Sequence, residues 1–186
     1  LHARGEEYIS STQIANDLNI DSFQVAKDFS YVQITGKPRV GNEVNSIVKV
    51  LEDFLGFATS NRAFLFGVGS LGAALLHDNG LEQYGLNIVA AFDVKYELTG
   101  TMINHIPVHH TNRFFELRQQ TGVNIGILTV PVDKAQEVAE LMIEGGIKAI
   151  WNFTPFRIKV PNDIVVQNTS LYAHLAVMFN RLNELH

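Results

Sequence analysis

The spacing of apolar residues changes near residues 55–57. Before that point apolar residues recur every three or four positions, and the last such series predicts a helix over 44–55. After it, short apolar runs of the kind that forms buried strands alternate with longer amphipathic segments. Such alternation is typical of a parallel sheet with helices on both faces, so we expect the second part of the chain to be an α/β domain.

Two short helices are predicted before the helix at 44–55. Ser11 precedes an apolar series and is expected to cap the first of them, because a serine side chain accepts the unpaired backbone N–H groups of a first turn. Asn19 is expected to end this helix and Asp21 to cap the next one. Two helices joined by so short a turn form a helix-turn-helix pattern, and a loop with two cations follows at 36–41.

The second part of the chain is predicted to hold six strands and four helices. The strands are expected at 63–66, 87–92, 106–108, 125–130, 148–151 and 164–166. The helices are expected at 71–77, 114–120, 135–143 and 171–185. Strands followed in turn by helices are the order in which parallel sheets are built.

Composition narrows the class of protein. Hydrophobic residues make up 46% of the 186 residues and charged residues 18%, which favours a packed core over disorder. The absence of cysteine excludes disulfides and thiolate metal sites, and it fits a reducing compartment. No apolar run reaches the roughly 18 residues that a membrane helix needs. The chain begins at Leu1 rather than methionine, so we expect the protein's own N-terminus to lie upstream.

The charge balance is mildly acidic, with a formal net charge of −5. Residues 1–56 carry five Lys and Arg against eight Asp and Glu, and the remaining residues carry nine against eleven. Neither part is therefore a basic domain of the kind that binds nucleic acid through its overall charge. If the chain binds DNA, we expect a local patch of side chains to make the contact.

A glycine-rich loop follows the first strand of the second part and opens the next helix. It consists of Gly67, Val68, Gly69, Ser70, Leu71 and Gly72. Glycines at these positions permit a tight turn, close approach of the backbone to a pyrophosphate and close packing of the helix. The helix start also offers free N–H groups to an anion. The loop therefore predicts a dinucleotide site, and the alternative is a structural turn that binds no ligand.

Three strand ends are expected to complete this site. Asp93 ends the second strand, where a carboxylate binds ribose hydroxyls and repels a 2′-phosphate, so it favours NAD over NADP. Because the carboxyl ends of parallel strands line one crevice, the residues after the second, fourth and fifth strands should face the same ligand. These residues are Val94 after the second strand, Thr129, Val130 and Pro131 at the fourth, and Asn152, Phe153 and Thr154 at the fifth.

Three histidines are the candidates for acid or base catalysis beside such a site, namely His105, His109 and His110. Packing or surface roles are the preferred interpretation, since no second acid or base stands at a fitting spacing. A metal site is not expected, because the chain lacks cysteine and the spacings HxxxH and HExxH. We assign no catalytic residue.

Taken together, the two parts resemble the Rex family, the bacterial redox-sensing transcriptional repressors that respond to the NADH/NAD ratio. The resemblance covers nearly the whole chain. It rests on ordered matches at 8–12, 21–25, 27–31, 67–72, 88–93, 106–108, 128–131, 135–139, 146–148, 152–155 and 160–161. It implies a winged-helix DNA-binding domain at 1–56, a Rossmann dinucleotide-binding domain at 57–169, and a dimerisation helix at 170–186 that swaps onto the partner chain.

The family also implies a function and a set of DNA contacts. A cytoplasmic homodimer without enzymatic activity would bind palindromic operator DNA and be released when NADH binds the Rossmann domain. The recognition helix would span 22–31, and Lys37 and Arg39 would form the wing. Within that helix the residues expected to reach bases or phosphates are Ser22, Gln24, Lys27, Ser30 and Tyr31.

Six residues depart from the family pattern, and two of them, Val32 and Gln33, stand where the family usually reads Phe-Gly. Ala26 stands where the recognition helix usually has an arginine, and Asn42 where the wing usually has an aromatic residue. Asp78 replaces a tyrosine and Ser170 an aspartate, both at positions that the family places near the nicotinamide. Two alternatives therefore stay open, namely an NAD(P)- or CoA-binding enzyme and a nucleotide-sensing dimer that has lost DNA binding.

Overall fold

A computed structural model describes residues 7–37 and 40–184. Its contacts divide the chain into two compact units, Leu1–Thr59 and Ser60–His186. We call them the N-terminal unit and the sheet unit. No helix in the described part of the chain is long and apolar enough to cross a membrane.

The N-terminal unit combines three helices with a two-stranded antiparallel sheet. Its elements are β1 (Tyr8–Ile9), α1 (Ser11–Leu18), α2 (Ser22–Tyr31), β2 (Asn42–Glu43) and α3 (Val44–Leu55). The three predicted helices are confirmed. The two strands were not predicted, because two residues are too few to show a period.

Side chains fix where α1 and α2 begin. Ser10 caps α1, since its Oγ accepts the backbone N–H of Gln13 at 3.2 Å and the Gln13 Oε1 accepts the backbone N–H of Ser10 at 2.8 Å. The prediction of Ser11 was therefore wrong by one residue, because Gln13 completes this reciprocal pair only from Ser10. Asn19 ends α1 in the left-handed conformation, and Asp21 caps α2, as predicted.

The seven strands of the sheet unit form one sheet. They are β3 (Asn61–Phe66), β4 (Leu86–Asp93), β5 (Met102–Ile103), β6 (Ile106–His110), β7 (Ile125–Leu128), β8 (Ala149–Asn152) and β9 (Val165–Asn168). Their order is β5-β6-β4-β3-β7-β8-β9, and every neighbouring pair except β5 and β6 is parallel. Without the hairpin strand β5, this is the strand order of a Rossmann dinucleotide-binding fold.

Five α-helices accompany the sheet in the described part of this unit. They are α4 (Ser70–His77), α5 (Gly80–Gln83), α6 (Phe114–Thr121), α7 (Ala135–Glu144) and α8 (Leu171–Asn183). All six predicted strands and all four predicted helices of this part are present, although β7 ends two residues before the predicted Val130. The additions are β5 and α5, which are too short for a periodic signal.

The sheet is buried on both faces, as its continuous apolar strands predict. On one face Phe64 and Phe66 of β3 meet Phe92 and Phe114, with ring centroids 5.0–6.2 Å apart. On the other face Leu65 and its neighbours pack in a second cluster. The alternation along β3 places successive side chains in different cores.

Candidate functional site

A cavity of about 620 Å³ lies at the carboxyl ends of β3, β4 and β7. We call it the strand-end cavity. The predicted residues that it brings together are Gly67, Gly69, Asp93, Val94, Thr129, Val130 and Pro131. It lies where the strand order reverses between β3 and β7, which is where open α/β sheets bind their ligands.

The three glycines of the loop differ in what surrounds them. Gly67 has a φ of +96°, and a Cβ there would lie 2.8 Å from the Val130 Cγ1, so it makes the tight turn. Gly72 packs so closely on the loop that a Cβ would overlap the carbonyl oxygen of Gly67. Gly69 has nothing within 4 Å of its Cβ position and lines the cavity. These surroundings match the three glycine roles of a dinucleotide-binding loop.

The start of α4 is suited to an anion. Gly69 is its N-cap and provides no side-chain hydrogen bond. The first-turn N–H groups of Ser70, Leu71 and Gly72 have no acceptor inside the helix, because the residues four positions earlier lie outside it. These three predicted residues therefore fit a pyrophosphate through their backbone rather than their side chains.

Asp93 holds the loop and the end of β4 together. Its Oδ2 accepts the backbone N–H of Val68 at 2.7 Å, and its Oδ1 accepts that of Lys95 at 2.9 Å. Each carboxylate oxygen keeps a second lone pair for a ribose hydroxyl. Val68, by contrast, has a buried side chain and an N–H that already donates to Asp93. The N–H and the side chain of Val68 are therefore engaged within the protein, and the ligand contact predicted for this residue stays a prediction.

Thr129 fastens the loop to the end of β7. Its hydroxyl donates to the carbonyl of Gly67 at 2.7 Å and lies 3.0 Å from that of Phe66. Its backbone N–H donates to the same Phe66 carbonyl at 2.9 Å. The predicted residue thus lines the cavity and also keeps Gly67 in its turn.

The cavity wall also contains residues that were not predicted, namely Phe66, Phe92, Lys95, Thr111, Lys134, Glu137 and Val138. Lys134 and Glu137 form an ion pair at 2.9 Å, and the hydrogen bond to Glu137 together with its charge raises the pKa of Lys134. Lys95 and Thr111 follow β4 and β6, so the rule that strand ends share one edge could have found them.

The residues after β8 lie outside the cavity. Asn152 is fully buried, and its carboxamide donates to the Phe156 carbonyl at 2.7 Å and to the Asn168 side chain at 2.9 Å. Its Oδ1 accepts the backbone N–H and the hydroxyl of Thr154 at 2.9 and 2.8 Å. The side chains of Asn152 and Thr154 are therefore used by the loop itself. Only Phe153 and the local backbone remain as candidates for ligand contact.

Two departures from the family pattern have structural roles. Asp78 follows the eight-residue helix α4. That length places it about 12 Å along the helix from Ser70, where α4 begins. Its Oδ1 accepts the backbone N–H of Gly80 at 2.8 Å. Ser170 caps α8 by accepting the N–H of Ala173 at 3.2 Å. Neither lines the strand-end cavity of its own chain, and their expected place near the nicotinamide stays a prediction.

The three histidines do not line the strand-end cavity either. Burial lowers the pKa of His109, the Arg113 cation lowers it further, and Glu116 partly opposes both. The ring of His110 stacks on Tyr96 with centroids 4.7 Å apart. Among residues 7–37 and 40–184, no three side chains are grouped as a metal site.

The predicted DNA contacts cover one side of α2. This helix buries Val25 and half-buries Phe29, and it exposes all five of the residues predicted on it, Ser22, Gln24, Lys27, Ser30 and Tyr31. Gln24, Lys27 and Tyr31 recur at helical spacing and form one strip, opposite the buried face. Gln24 also donates to Asp28 at 2.7 Å. The protruding strip is the shape that a groove-reading helix needs.

The predicted wing is described only in part. The ammonium group of Lys37 lies 5.4 Å from the centre of the Tyr8 ring and 3.4 Å from its hydroxyl. Arg39 lies outside the described residues. Asn42 is buried beside β1, where its carboxamide lies 3.5 Å from the carbonyl of Ile9, while Ala26 is exposed. Asn42 therefore connects β2 to β1, and the exposed surface of α2 carries no cation at Ala26.

Comparisons with known sequences agree in both units. Residues 59–156 match a family profile described as "CoA binding domain", and residues 1–30 match one described as "Putative DNA-binding protein N-terminus". Proteins named redox-sensing transcriptional repressor Rex are 63% identical in Bacteroides fragilis and 61% in Bacteroides thetaiotaomicron, each over 98% of this chain and 83% of the relative. The Rex of Treponema denticola is 42% identical over 94% of this chain and 84% of its own.

Solved structures of RSP, a Rex-family repressor, have a similar fold. The complex of RSP with β-NAD+ and operator DNA matches with a TM-score of 0.89 at 30% identity, over 96% of this chain and 82% of that one. The complex of RSP with β-NADH matches with a TM-score of 0.89 at 29% identity, over 99% of this chain and 86% of that one.

Proposed function

The chain belongs to the Rex family of redox-sensing transcriptional repressors, and we propose that it binds operator DNA as a homodimer and leaves it when NADH occupies the strand-end cavity. The observation that carries this proposal is the cavity itself, with an open Gly69, a free helix start and an oriented Asp93 at its wall. The curated relatives are named repressors rather than enzymes, so we interpret the cavity as an effector site for NADH and NAD.

We propose that residues 1–56 form the DNA-binding domain, 57–169 the dinucleotide-binding domain and 170–186 the dimerisation helix, in a cytoplasmic protein. The exposure of α8 supports the last assignment. Every side chain from Tyr172 to Glu184 is exposed within its own chain. Tyr172, Leu175, Phe179 and Leu182 fall on one apolar stripe, which a second copy of the chain would cover.

NADH and operator DNA would then oppose each other by favouring different conformations of the dimer. A ligand shifts a conformational equilibrium only by its differential affinity for the two conformations, and each ligand then lowers the affinity for the other by the same factor. RSP has been solved with β-NAD+ and operator DNA together, and separately with β-NADH. These two complexes support the assignment of NAD+ to the DNA-binding conformation of this chain and of NADH to the conformation that does not bind DNA.

Fluorescence anisotropy of a labelled palindromic duplex tests the function directly. The dimer is expected to bind with strong salt dependence, and NADH is expected to weaken that binding by about tenfold or more. The same concentration of NAD+ should leave the affinity nearly unchanged. Equal effects of the two nucleotides would overturn the redox-sensing role, and salt-insensitive binding would overturn the DNA-binding role.

Asp93→Asn is expected to lower NADH affinity by about tenfold, because a charged acceptor for ribose hydroxyls is worth roughly 1.5–3 kcal/mol. NADPH affinity should fall less or rise, since the charge that repels a 2′-phosphate is gone. Calorimetry with both nucleotides measures the ratio of their affinities. Asp163→Asn is the control, because it removes an exposed carboxylate paired with Lys148 before β8. An unchanged ratio in Asp93→Asn would place the ribose elsewhere.

Lys27→Ala is expected to weaken operator binding by about tenfold and to reduce the slope of log affinity against log salt by about two, one for each subunit. Lys27 is the one cation on the exposed strip of α2 defined above, among residues 22–31. Lys49→Ala removes an equally exposed cation from α3 of the same unit and should change the slope less. Anisotropy at several salt concentrations compares them, and equal slopes would contradict the assignment of α2.

A further inference from the structure

The strands β8 and β9 end side by side, directly before α8. They pair in parallel, with Asn152 opposite Asn168 and Trp151 opposite Gln167. Because successive side chains of a strand point to opposite faces, Trp151 and Asn152 act on different faces of the sheet. The end of β8 can therefore hold the end of β9 from both sides.

Four side chains use this arrangement. The Asn152 carboxamide donates to the Asn168 side chain at 2.9 Å, and the Asn152 carbonyl accepts the backbone N–H of Thr169 at 2.8 Å. From the other face, the indole N–H of Trp151 donates to the Thr169 hydroxyl at 2.8 Å. We call Trp151, Asn152, Asn168 and Thr169 the β8–α8 clamp. The residue after the clamp is Ser170, the N-cap of α8.

The same clamp reaches the ligand edge of the sheet. Asn152 organises the loop after β8 through its bonds to Thr154 and Phe156. Phe153 in that loop contacts the Trp151 ring, with centroids 4.6 Å apart. This loop continues the carboxyl edge that begins with the strand-end cavity, and a dinucleotide extends along that edge beyond its adenosine half. A ligand that moves Phe153 therefore also moves the ring that holds Thr169.

The other end of the clamp determines where α8 leaves the sheet. Since the side chains from Tyr172 to Glu184 are exposed in their own chain, residues 168–170, just before its first turn, set the direction of α8 within that chain. A small rotation there moves the far end of a helix of 13 residues, which is about 20 Å long, by several ångströms.

We propose that the β8–α8 clamp carries the occupancy of the dinucleotide site to the dimerisation helix, so that Trp151 and Thr169 are positioning residues for the release of DNA. The inference rests on the proposed function and deepens it, because it names the contact through which NADH changes the dimer. The clamp consists of two side-chain hydrogen bonds, one from Trp151 to Thr169 and one from Asn152 to Asn168.

Thr169→Val tests the clamp with the smallest change, since valine keeps the shape of threonine and removes the acceptor of the indole N–H. Trp151→Phe removes the donor and keeps an aromatic ring beside Phe153. Both variants are expected to bind NADH and, without NADH, operator DNA within about twofold of the parent. The weakening of DNA binding by NADH should fall from about tenfold to about threefold or less.

Thr121→Val is the matched control. Thr121 is also half-buried in the sheet unit, and its hydroxyl donates to the Leu117 carbonyl at 2.6 Å, so the variant loses a comparable bond at the end of α6. Its response to NADH should equal that of the parent. A purely structural role of Thr169 would lower thermal stability in both valine variants and leave the NADH response intact, and that result would overturn the proposal.

Trp151 also supplies a direct signal, because it is the one tryptophan of the sequence. Its emission should shift when NADH binds the parent, and Thr169→Val should show a shifted emission without ligand and a smaller response to it. If the parent's DNA binding ignores NADH, the proposed function fails and the clamp's role with it. If the parent responds and Thr169→Val responds equally, the clamp alone is overturned.

Discussion

Gly72→Ala is expected to abolish NADH binding and to lower the free energy of unfolding by about 3 kcal/mol, the upper part of the range for forcing an atom into a packed site. A Cβ at this position overlaps the Gly67 carbonyl oxygen and lies 3.1 Å from the Thr129 hydroxyl. Those two groups form the 2.7 Å hydrogen bond that holds the loop, so neither can yield without opening it. Urea unfolding and NADH calorimetry measure both effects.

The sign of this effect is informative. Gly72 lies inside α4, where alanine is intrinsically favoured over glycine by about 1 kcal/mol. Helix propensity alone would therefore stabilise the variant. A loss of stability identifies the close approach of α4 to the loop as the dominant effect, and a variant as stable as the parent with intact NADH affinity would contradict the packing described for Gly72.

Gly69→Ala separates binding from stability in the same loop. Its φ of −80° suits alanine, and its Cβ position is open, so the free energy of unfolding should change by no more than about 0.5 kcal/mol. The new methyl group nevertheless points into the space where a pyrophosphate approaches the backbone, so NADH affinity should fall strongly. Retained affinity would place the pyrophosphate away from Gly69.

The Rossmann sheet was predictable because its signals are local. The run at 63–66 is apolar at every position, as a strand buried on both faces must be, and the glycine loop follows at once. The structure places Phe64 and Leu65 in opposite cores, which explains why that run shows no alternation. Asp93 was found for the same reason, since it directly follows an apolar strand.

Other parts of the site depend on contacts distant in sequence. Lys134, directly before α7, and Glu137, in its first turn, reach the cavity from that helix. The spacing of residues along the sequence does not show which strand end a helix packs against. Asn152 and Thr154 show the opposite case. Their types and position suggested ligand contact, but only the structure reveals that Phe156 and Asn168 use the Asn152 carboxamide. Asp78 follows the end of α4 and does not line the strand-end cavity, so its expected place near the nicotinamide stays a prediction.

Leu175→Glu is expected to convert the proposed homodimer into monomers. Leu175 lies at the centre of the apolar stripe of α8 and is exposed in its own chain. A carboxylate there, facing an apolar partner surface, loses hydration without a partner, which costs more than the roughly 2 kcal/mol gained by burying a leucine. Both subunits carry the change, so the penalty is doubled. Sedimentation equilibrium measures the mass, and operator binding should be lost along with the dimer, because one subunit reads only half of a palindrome.

His174→Glu adds the same side chain about 100° around α8 from Leu175, outside the apolar stripe. The Nδ1–H of His174 donates one hydrogen bond, at 2.8 Å, to the carbonyl of Ser170, and a carboxylate near the start of a helix is favourable. This variant should remain dimeric if the stripe with Leu175 makes the interface. Dissociation of both variants would mean that the partner surrounds α8 on every side. If Leu175→Glu stays dimeric, the interface does not involve the apolar stripe of α8. The β8–α8 clamp would then not lead to the dimer interface.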